Sequence, residues 1–273
     1  MKFIKLGGKY TLKNCWWMAL LWLIPSVFVG LCCGPFQVIE FMNVYPTSTI
    51  SGFGDIFNIL MPFGWQQIVF GILAILLVSV VLSMVVGQAE SHMRSGKLKF
   101  KEIFSYVNND ILVVLVNVVM YVLIEAVLTF IFGSIIFLFH LMTSGLSNTP
   151  TVLCSIIAII LCVCLLVLNT LAVSMFVINI PNMISNGYSF KEGVSSTTQL
   201  VGKSTFKLLL AYLLPYLLII PLVSIFCRTN ILWLFNIILF LILIVYYSGL
   251  SMTAYFELSD TSRYDNRKYY NYM

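Results

Sequence analysis

Apolar residues fall along this chain in long unbroken runs, at about 15–33, 67–86, 111–139, 151–180, 208–226 and 231–256. Each run is near or above the roughly 20 residues that a helix needs to cross about 30 Å of hydrocarbon. The period-two alternation of a barrel wall is missing from them. In lipid, a single segment can bond all its own amides only as a helix. The pattern therefore predicts an all-α, polytopic bundle of six transmembrane helices. The third and fourth runs exceed the hydrocarbon thickness, so their helices are expected to tilt or to project past the headgroups. Between the runs lie two cytoplasmic connections, 87–110 and 181–207, and an outer segment, 43–64, none long enough for a soluble domain.

Composition strengthens this reading. With 60% hydrophobic residues, 9% charged residues and a mean hydropathy of +1.01, the chain is far from the roughly 25% charge of water-soluble domains. The distribution of cations sets the orientation. Lys2, Lys5, Lys9 and Lys13 precede the first run, and Arg94, Lys97, Lys99 and Lys101 lie between the second and third. Lys191, Lys203 and Lys207 lie between the fourth and fifth, and Arg263, Arg267 and Lys268 follow the last. Of the 15 Lys and Arg residues only Arg228 falls on the other side. Both termini are thus expected in the cytoplasm. The first run has no small-x-small cleavage site, and Leu31 precedes Cys32 where a lipoprotein signal needs a small residue, so it reads as a retained signal anchor. The expected location is a bacterial plasma (inner) membrane, as a multi-pass protein.

The two cytoplasmic connections resemble each other. Ser95-Gly96-Lys97-Leu98-Lys99-Phe100-Lys101-Glu102 aligns, with one gap, on Asn186-Gly187-Tyr188-Ser189-Phe190-Lys191-Glu192. A fainter copy, Gly8-Lys9-Tyr10-Thr11-Leu12-Lys13, precedes the first run. The glycines stand about a third of the chain apart, which predicts a single integral membrane domain, 1–273, built from two or three helical-hairpin repeats at about 1–87, 88–180 and 181–273. Phe100, Ile103, Phe104 and Val107 make an apolar stripe at helical spacing, with Lys97, Lys99 and Lys101 around it. Phe190, Val194 and Val201 share a face in the second copy, where Lys191 follows Phe190 and Ser189 with Glu192 has capping-box spacing. Short amphipathic helices lying in the interface are expected here. They either anchor the loops to lipid or dock a partner.

One ionisable residue stands in the middle of a run. Glu125 is central to the third, and Asn117, Tyr121, Glu125 and Thr129 recur at four-residue steps along one side of that helix. In the fourth run Ser155, Cys162 and Asn169 recur at seven-residue steps, and Asn169 matches Glu125 in depth, close enough for an interhelical hydrogen bond. The stripe either lines a polar passage or proton-coupled site, or it holds helices together. Pro25, Pro215 and Pro221 interrupt runs, as prolines do both in transport sites and in ordinary membrane helices.

Enzymatic signatures are lacking: no Gly-x-Ser-x-Gly elbow, His-Glu-x-x-His, phosphate-binding loop or paired aspartates. His92, two residues after Glu90 at the cytoplasmic edge, is the one candidate base, and His140 lies near the outer edge. Of seven cysteines, Cys32, Cys33, Cys154 and Cys227 fall toward the outer side, whereas Cys162 and Cys164 are expected to be buried packers. No catalytic residue, cofactor, metal or nucleic-acid site is expected.

The Gly-x-x-(x)-Phe-Lys-Glu segments feeding into hairpins, with Asn14, Pro25, Gly34 and Pro35 around the first run, resemble the uncharacterised six-span bacterial membrane families of the YesL-like and YciC-like type. They are also similar to the membrane domain of bacterial glycerophosphodiester phosphodiesterases, although the soluble catalytic domain is not in this sequence. The resemblance implies an inner-membrane protein with an accessory role. Three functions are weighed: a non-enzymatic scaffold or accessory membrane subunit, a permease or export subunit working with a separate ATPase, and a lipid-modifying enzyme near Glu90 and His92. The expected partners are the lipid bilayer and a membrane or cytoplasmic protein such as an ATPase.

Overall fold

A computed structural model describes residues 2–32, 34–61, 65–144 and 149–265; Cys33, Arg267 and Lys268 lie outside them. The six apolar runs are helices long and apolar enough to cross a membrane, and no strand occurs among the described residues. The chain is an all-α, multi-pass membrane bundle. Its spans are α1 (Lys2–Cys32), α4 (Trp65–Ser95), α5 (Ile103–Ser144), α6 (Val152–Asn186), the broken pair α8 (Thr205–Leu213) and α9 (Tyr216–Phe226), and α10 (Leu232–Leu258). Most helices outrun their apolar runs, because hydropathy marks the hydrocarbon and not the helix end. The 42 residues of α5 make a rod of about 63 Å. Both α4 and α6 run on to a glycine in the left-handed region, Gly96 (φ 70°) and Gly187 (φ 66°), where any other residue is strained. Gly8, by contrast, lies inside α1.

The first and last spans form an antiparallel seam. Trp17, Met18 and Trp22 are buried there, and the Trp22 indole N–H donates to Ser248 Oγ (3.1 Å). Backbones touch at Gly30, where a Cβ would stand 2.8 Å from the Ile237 amide nitrogen, and at Gly249, where it would meet Thr11. Small residues let membrane helices approach this closely, which replaces the hydrophobic drive that lipid removes.

The fifth span breaks at Pro215, which has no N–H to give the Ala211 carbonyl. The Tyr246 hydroxyl of α10 donates to that carbonyl (3.0 Å), and the Tyr247 hydroxyl donates to the next, Tyr212 O (2.8 Å). Tertiary structure thus resupplies the bonds the proline removes, as lipid requires. Tyr247→Phe should cost about 1 kcal/mol, read as a drop of a few degrees in the Tm of the detergent-solubilised protein. Unchanged melting would show that the break needs no such support.

The two connections differ. In the first, Phe100–Glu102 forms a single 3-10 turn, and the stripe of Ile103, Phe104 and Val107 continues as the first turns of α5 rather than as a separate interfacial helix. The Gln88 amide, oriented to satisfy both groups, pairs with the Lys99 backbone at 2.9 and 3.2 Å and pins this turn to α4. In the second, α7 (Phe190–Gly202) is a distinct helix. Its capping box forms: the Ser189 hydroxyl (2.7 Å) and amide (3.0 Å) donate to the Glu192 carboxylate. These bonds hold that exposed carboxyl below its usual range.

The stretch between the first two spans folds into α2 (Gln37–Val44), a 3-10 turn at Tyr45–Thr47 and α3 (Phe53–Leu60). Phe41, Tyr45, Ile50, Ile56 and Leu60 pack with Ile136, Cys154 and Cys162 into a second core. What reads as a polar stretch is a cap on α5 and α6, its buried residues spaced too irregularly for periodicity to reveal.

Candidate functional site

The stripe on α5 divides between two environments. Asn117 faces α6, where its side-chain oxygen accepts from Asn179 Nδ2 (2.8 Å) and its Nδ2 donates back to Val113 O (2.8 Å). From Asn179 a buried ladder continues. Thr197 Oγ1 of α7 donates to Asn179 Oδ1 (3.0 Å), and Asn182 Nδ2 donates to Thr197 Oγ1 (2.9 Å). Asn186 Nδ2 reaches Asn182 Oδ1 (3.0 Å) and, at 3.5 Å, the Tyr255 hydroxyl of α10. Asn117, Asn179, Asn182 and Thr197 are all buried. Four helices are thereby joined through amides and hydroxyls whose donors and acceptors interlock.

This ladder changes the reading of α7. The face it buries is Gly193, Thr197 and Val201; a Cβ on Gly193 would meet Met183. Val194 is exposed, and Phe190 is half-buried with its ring stacked 6.5 Å from Phe176. Docking on protein through a small and polar face outweighs lying apolar side down in lipid, because the Asn179 side-chain oxygen and the Asn182 side-chain nitrogen would otherwise lose Thr197 as a partner.

Tyr121 and Glu125 stand one and two turns farther along α5, both half-buried, with Thr129 buried beyond them. The Tyr121 ring packs 6.4 Å from Phe176. The Tyr121 and Tyr216 hydroxyls are electrostatic neighbours of the Glu125 carboxyl, and Tyr216 in turn lies beside Tyr247 and Thr170. The carboxyl therefore lies within electrostatic reach of Tyr216, the residue after Pro215, a neighbourhood no local spacing in the sequence announces. Asn169 does not supply the expected bond to Glu125: its side-chain oxygen is buried without a hydrogen-bond partner. Helix rotation explains the miss, since equal depth on two helices says nothing about facing directions.

Glu90 and His92 are not brought together. Glu90 points to α6, accepting from Arg94 Nε (2.8 Å) and Ser185 Oγ (2.8 Å). His92 is buried against α1, its Nδ1 3.2 Å from the Tyr10 hydroxyl. Beside it Arg263 lies 5.7 Å over the Tyr10 ring and forms a buried ion pair with Asp265 (2.9 Å). The Tyr264 amide donates to Met93 O (2.7 Å), strapping the segment after α10 across this end.

Lys97, Lys99, Phe100, Lys101 and Lys191 are all exposed at the same end, with Lys99 3.2 Å from Glu102 and the Phe100 ring 5.7 Å from Trp16. At the opposite end Arg228 donates to Thr47 Oγ1 (3.3 Å). His140 there is buried, its Nδ1 3.2 Å from the Tyr45 hydroxyl, which also lies 3.0 Å from Cys154 Sγ. Cys32, Cys154 and Cys227 are free thiols, Cys162 is buried as expected, and Cys164 is exposed, because it sits on the lipid side of α6 two residues from Cys162. No group of three or more metal-ligating side chains occurs among the described residues. No family model, curated protein or solved structure matches this chain.

Proposed function

We propose that this protein is a non-enzymatic scaffold or accessory subunit of a bacterial inner membrane, with both termini cytoplasmic and a rigid basic surface turned to a partner. The reading rests on one observation: the buried ladder from Asn117 through Asn179, Thr197 and Asn182 fastens α7 to the spans. A helix held in that way keeps its outer face, with Lys191, in a constant position relative to the turn carrying Lys97, Lys99, Phe100 and Lys101. The gathering of cations at that end, against Arg228 at the other, favours the cytoplasmic assignment. The likeness to YesL-like and YciC-like families accords with an accessory role.

Crosslinking in native membranes followed by affinity purification tests this. A discrete protein partner is expected, such as an ATPase, and its yield should fall at least fivefold for a Lys97→Glu, Lys99→Glu, Lys101→Glu variant that still accumulates in the membrane. Recovery of the same partner by that variant, or of lipid alone by the wild type, overturns the reading.

A second reading, a permease or export subunit, is favoured by an ionisable residue, Glu125, in the middle of a span with Tyr121 and Tyr216 as electrostatic neighbours. It predicts that Glu125→Gln abolishes a transport-dependent growth phenotype without lowering the amount of protein. Wild-type growth of that variant under every condition where deletion is harmful removes this reading.

A further inference from the structure

At the basic end a cavity of about 420 Å³ opens between the ends of α4, α6 and α10, the inner side of α7 and the segment after α10. Its volume lies in the roughly 300–1,000 Å³ range of small-molecule sites. Arg94 is the one charged residue in its described wall. The guanidinium is held in place from three directions. Nε donates to Glu90 (2.8 Å), Nη2 donates to Ser185 Oγ (3.2 Å), and the Phe256 ring lies 5.7 Å from the guanidinium carbon. Glu90 stays behind the arginine, its side chain 15% exposed, and is not part of the wall. A fork immobilised in advance loses little rotamer freedom when it binds, and its remaining N–H groups match the oxygens of an oxyanion.

Apart from Leu200, the rest of the described wall is made of neutral hydroxyls and amides, among them Tyr188, Ser196, Tyr255 and Thr261. Hydroxyls turn to donate to whatever acceptor enters. No carboxylate in the described wall opposes an anion. The exposed Tyr188 stands just before α7, beyond the end of α6.

We propose that this cavity binds a phosphate ester, either as the headgroup of an anionic lipid in the adjoining leaflet or as a small soluble phosphate ester. This differs from the docking surface of Lys97, Lys99 and Lys101, which lies outside the cavity wall, and it does not depend on a protein partner.

The test uses the full-length protein in detergent, with native mass spectrometry against phosphatidylglycerol and phosphatidylcholine, and calorimetry with glycerol 3-phosphate. Wild type should hold phosphatidylglycerol at least tenfold more tightly than phosphatidylcholine if the ligand is a lipid, or bind glycerol 3-phosphate saturably if it is soluble. The double change Glu90→Gln, Arg94→Gln removes the fork without stranding a carboxylate and should abolish that binding. Ser196→Leu fills the cavity from α7 with the ion pair intact and should weaken it at least tenfold, so it decides the matter if the double variant fails to fold. Lys97→Gln, Lys99→Gln should retain it. Absence of both binding modes, or full binding by Ser196→Leu, overturns the proposal. Equal loss in the lysine variant does so as well, since that marks unspecific attraction to a basic surface.

Discussion

Gly30→Leu is expected to destabilise the bundle by about 3 kcal/mol, the upper end for overpacking a tight contact. A Cβ at position 30 would stand 2.5 Å from Ile237 Cγ1, 2.8 Å from its amide nitrogen and 2.9 Å from its Cα. Two of these atoms are backbone, so no side-chain rotation relieves the clash and α10 has to move away from α1. That displaces Ile237 and, along the same seam, the Trp22–Ser248 bond. Gly71→Leu is the matched control, since a Cβ there meets nothing within 4 Å. Fluorescence-detected size exclusion after heating should find Gly30→Leu aggregated well below the temperature that wild type and Gly71→Leu withstand. Equal heat resistance of all three would mean that α1 and α10 do not pack through this contact.

The second large effect is expected at the buried ladder. Asn179→Leu removes the bond to Asn117 and the acceptor of Thr197, leaving both without those partners in a buried site. Stranded groups of this kind cost roughly 1–3 kcal/mol each. Polar contacts between membrane helices often measure nearer 0.6 kcal/mol, because the unfolded helices find other partners in the membrane. A net loss of about 2 kcal/mol weighs both figures. The loss should be local: amide exchange across Phe190–Gly202 should accelerate more than tenfold, since every 1.4 kcal/mol is a factor of ten, while the α1–α10 seam keeps its protection. Were α7 instead a lipid-anchored amphipathic helix, the substitution would leave its exchange unchanged.

That contrast marks how far the sequence could be read. The apolar stripe through Phe190, Val194 and Val201 is real as a spacing, yet Gly193, Thr197 and Val201 are what the helix buries. Nothing in the 13 residues of α7 itself specifies that choice. It follows from Asn179 and Asn182 on the neighbouring span, which accept and donate only if a hydroxyl arrives at position 197. The capping box of Ser189 and Glu192 was legible, because both partners lie within one turn and form the same bonds wherever the helix sits. Glu125 was legible as an oddity in an apolar run. Its nearness to Tyr216 was not, because only the tertiary fold brings these distant parts of the chain within electrostatic reach.

The rescue of the proline break follows the same logic. Pro215 announces that Ala211 loses its helical donor, but the chain offers many hydroxyls, and only the placement of α10 selects Tyr246 and Tyr247. Equally, the glycines after α4 and α6 mark helix ends through their own backbone freedom, while Gly30 and Gly193 matter only for what stands opposite.

What the residues determined by themselves is where the chain meets hydrocarbon, how many times it crosses, and at which boundaries the cations gather. Transfer from water to lipid is summed residue by residue along a single segment, so it needs no knowledge of neighbours. Which faces pair, how α7 docks, where Arg94 is held and what Glu125 touches were decided only by tertiary structure. Hydrogen bonds and close packing depend on direction and distance between segments far apart in sequence, and inside a membrane the apolar stripe that would reveal a helix's inner face is hidden by apolar residues on every side.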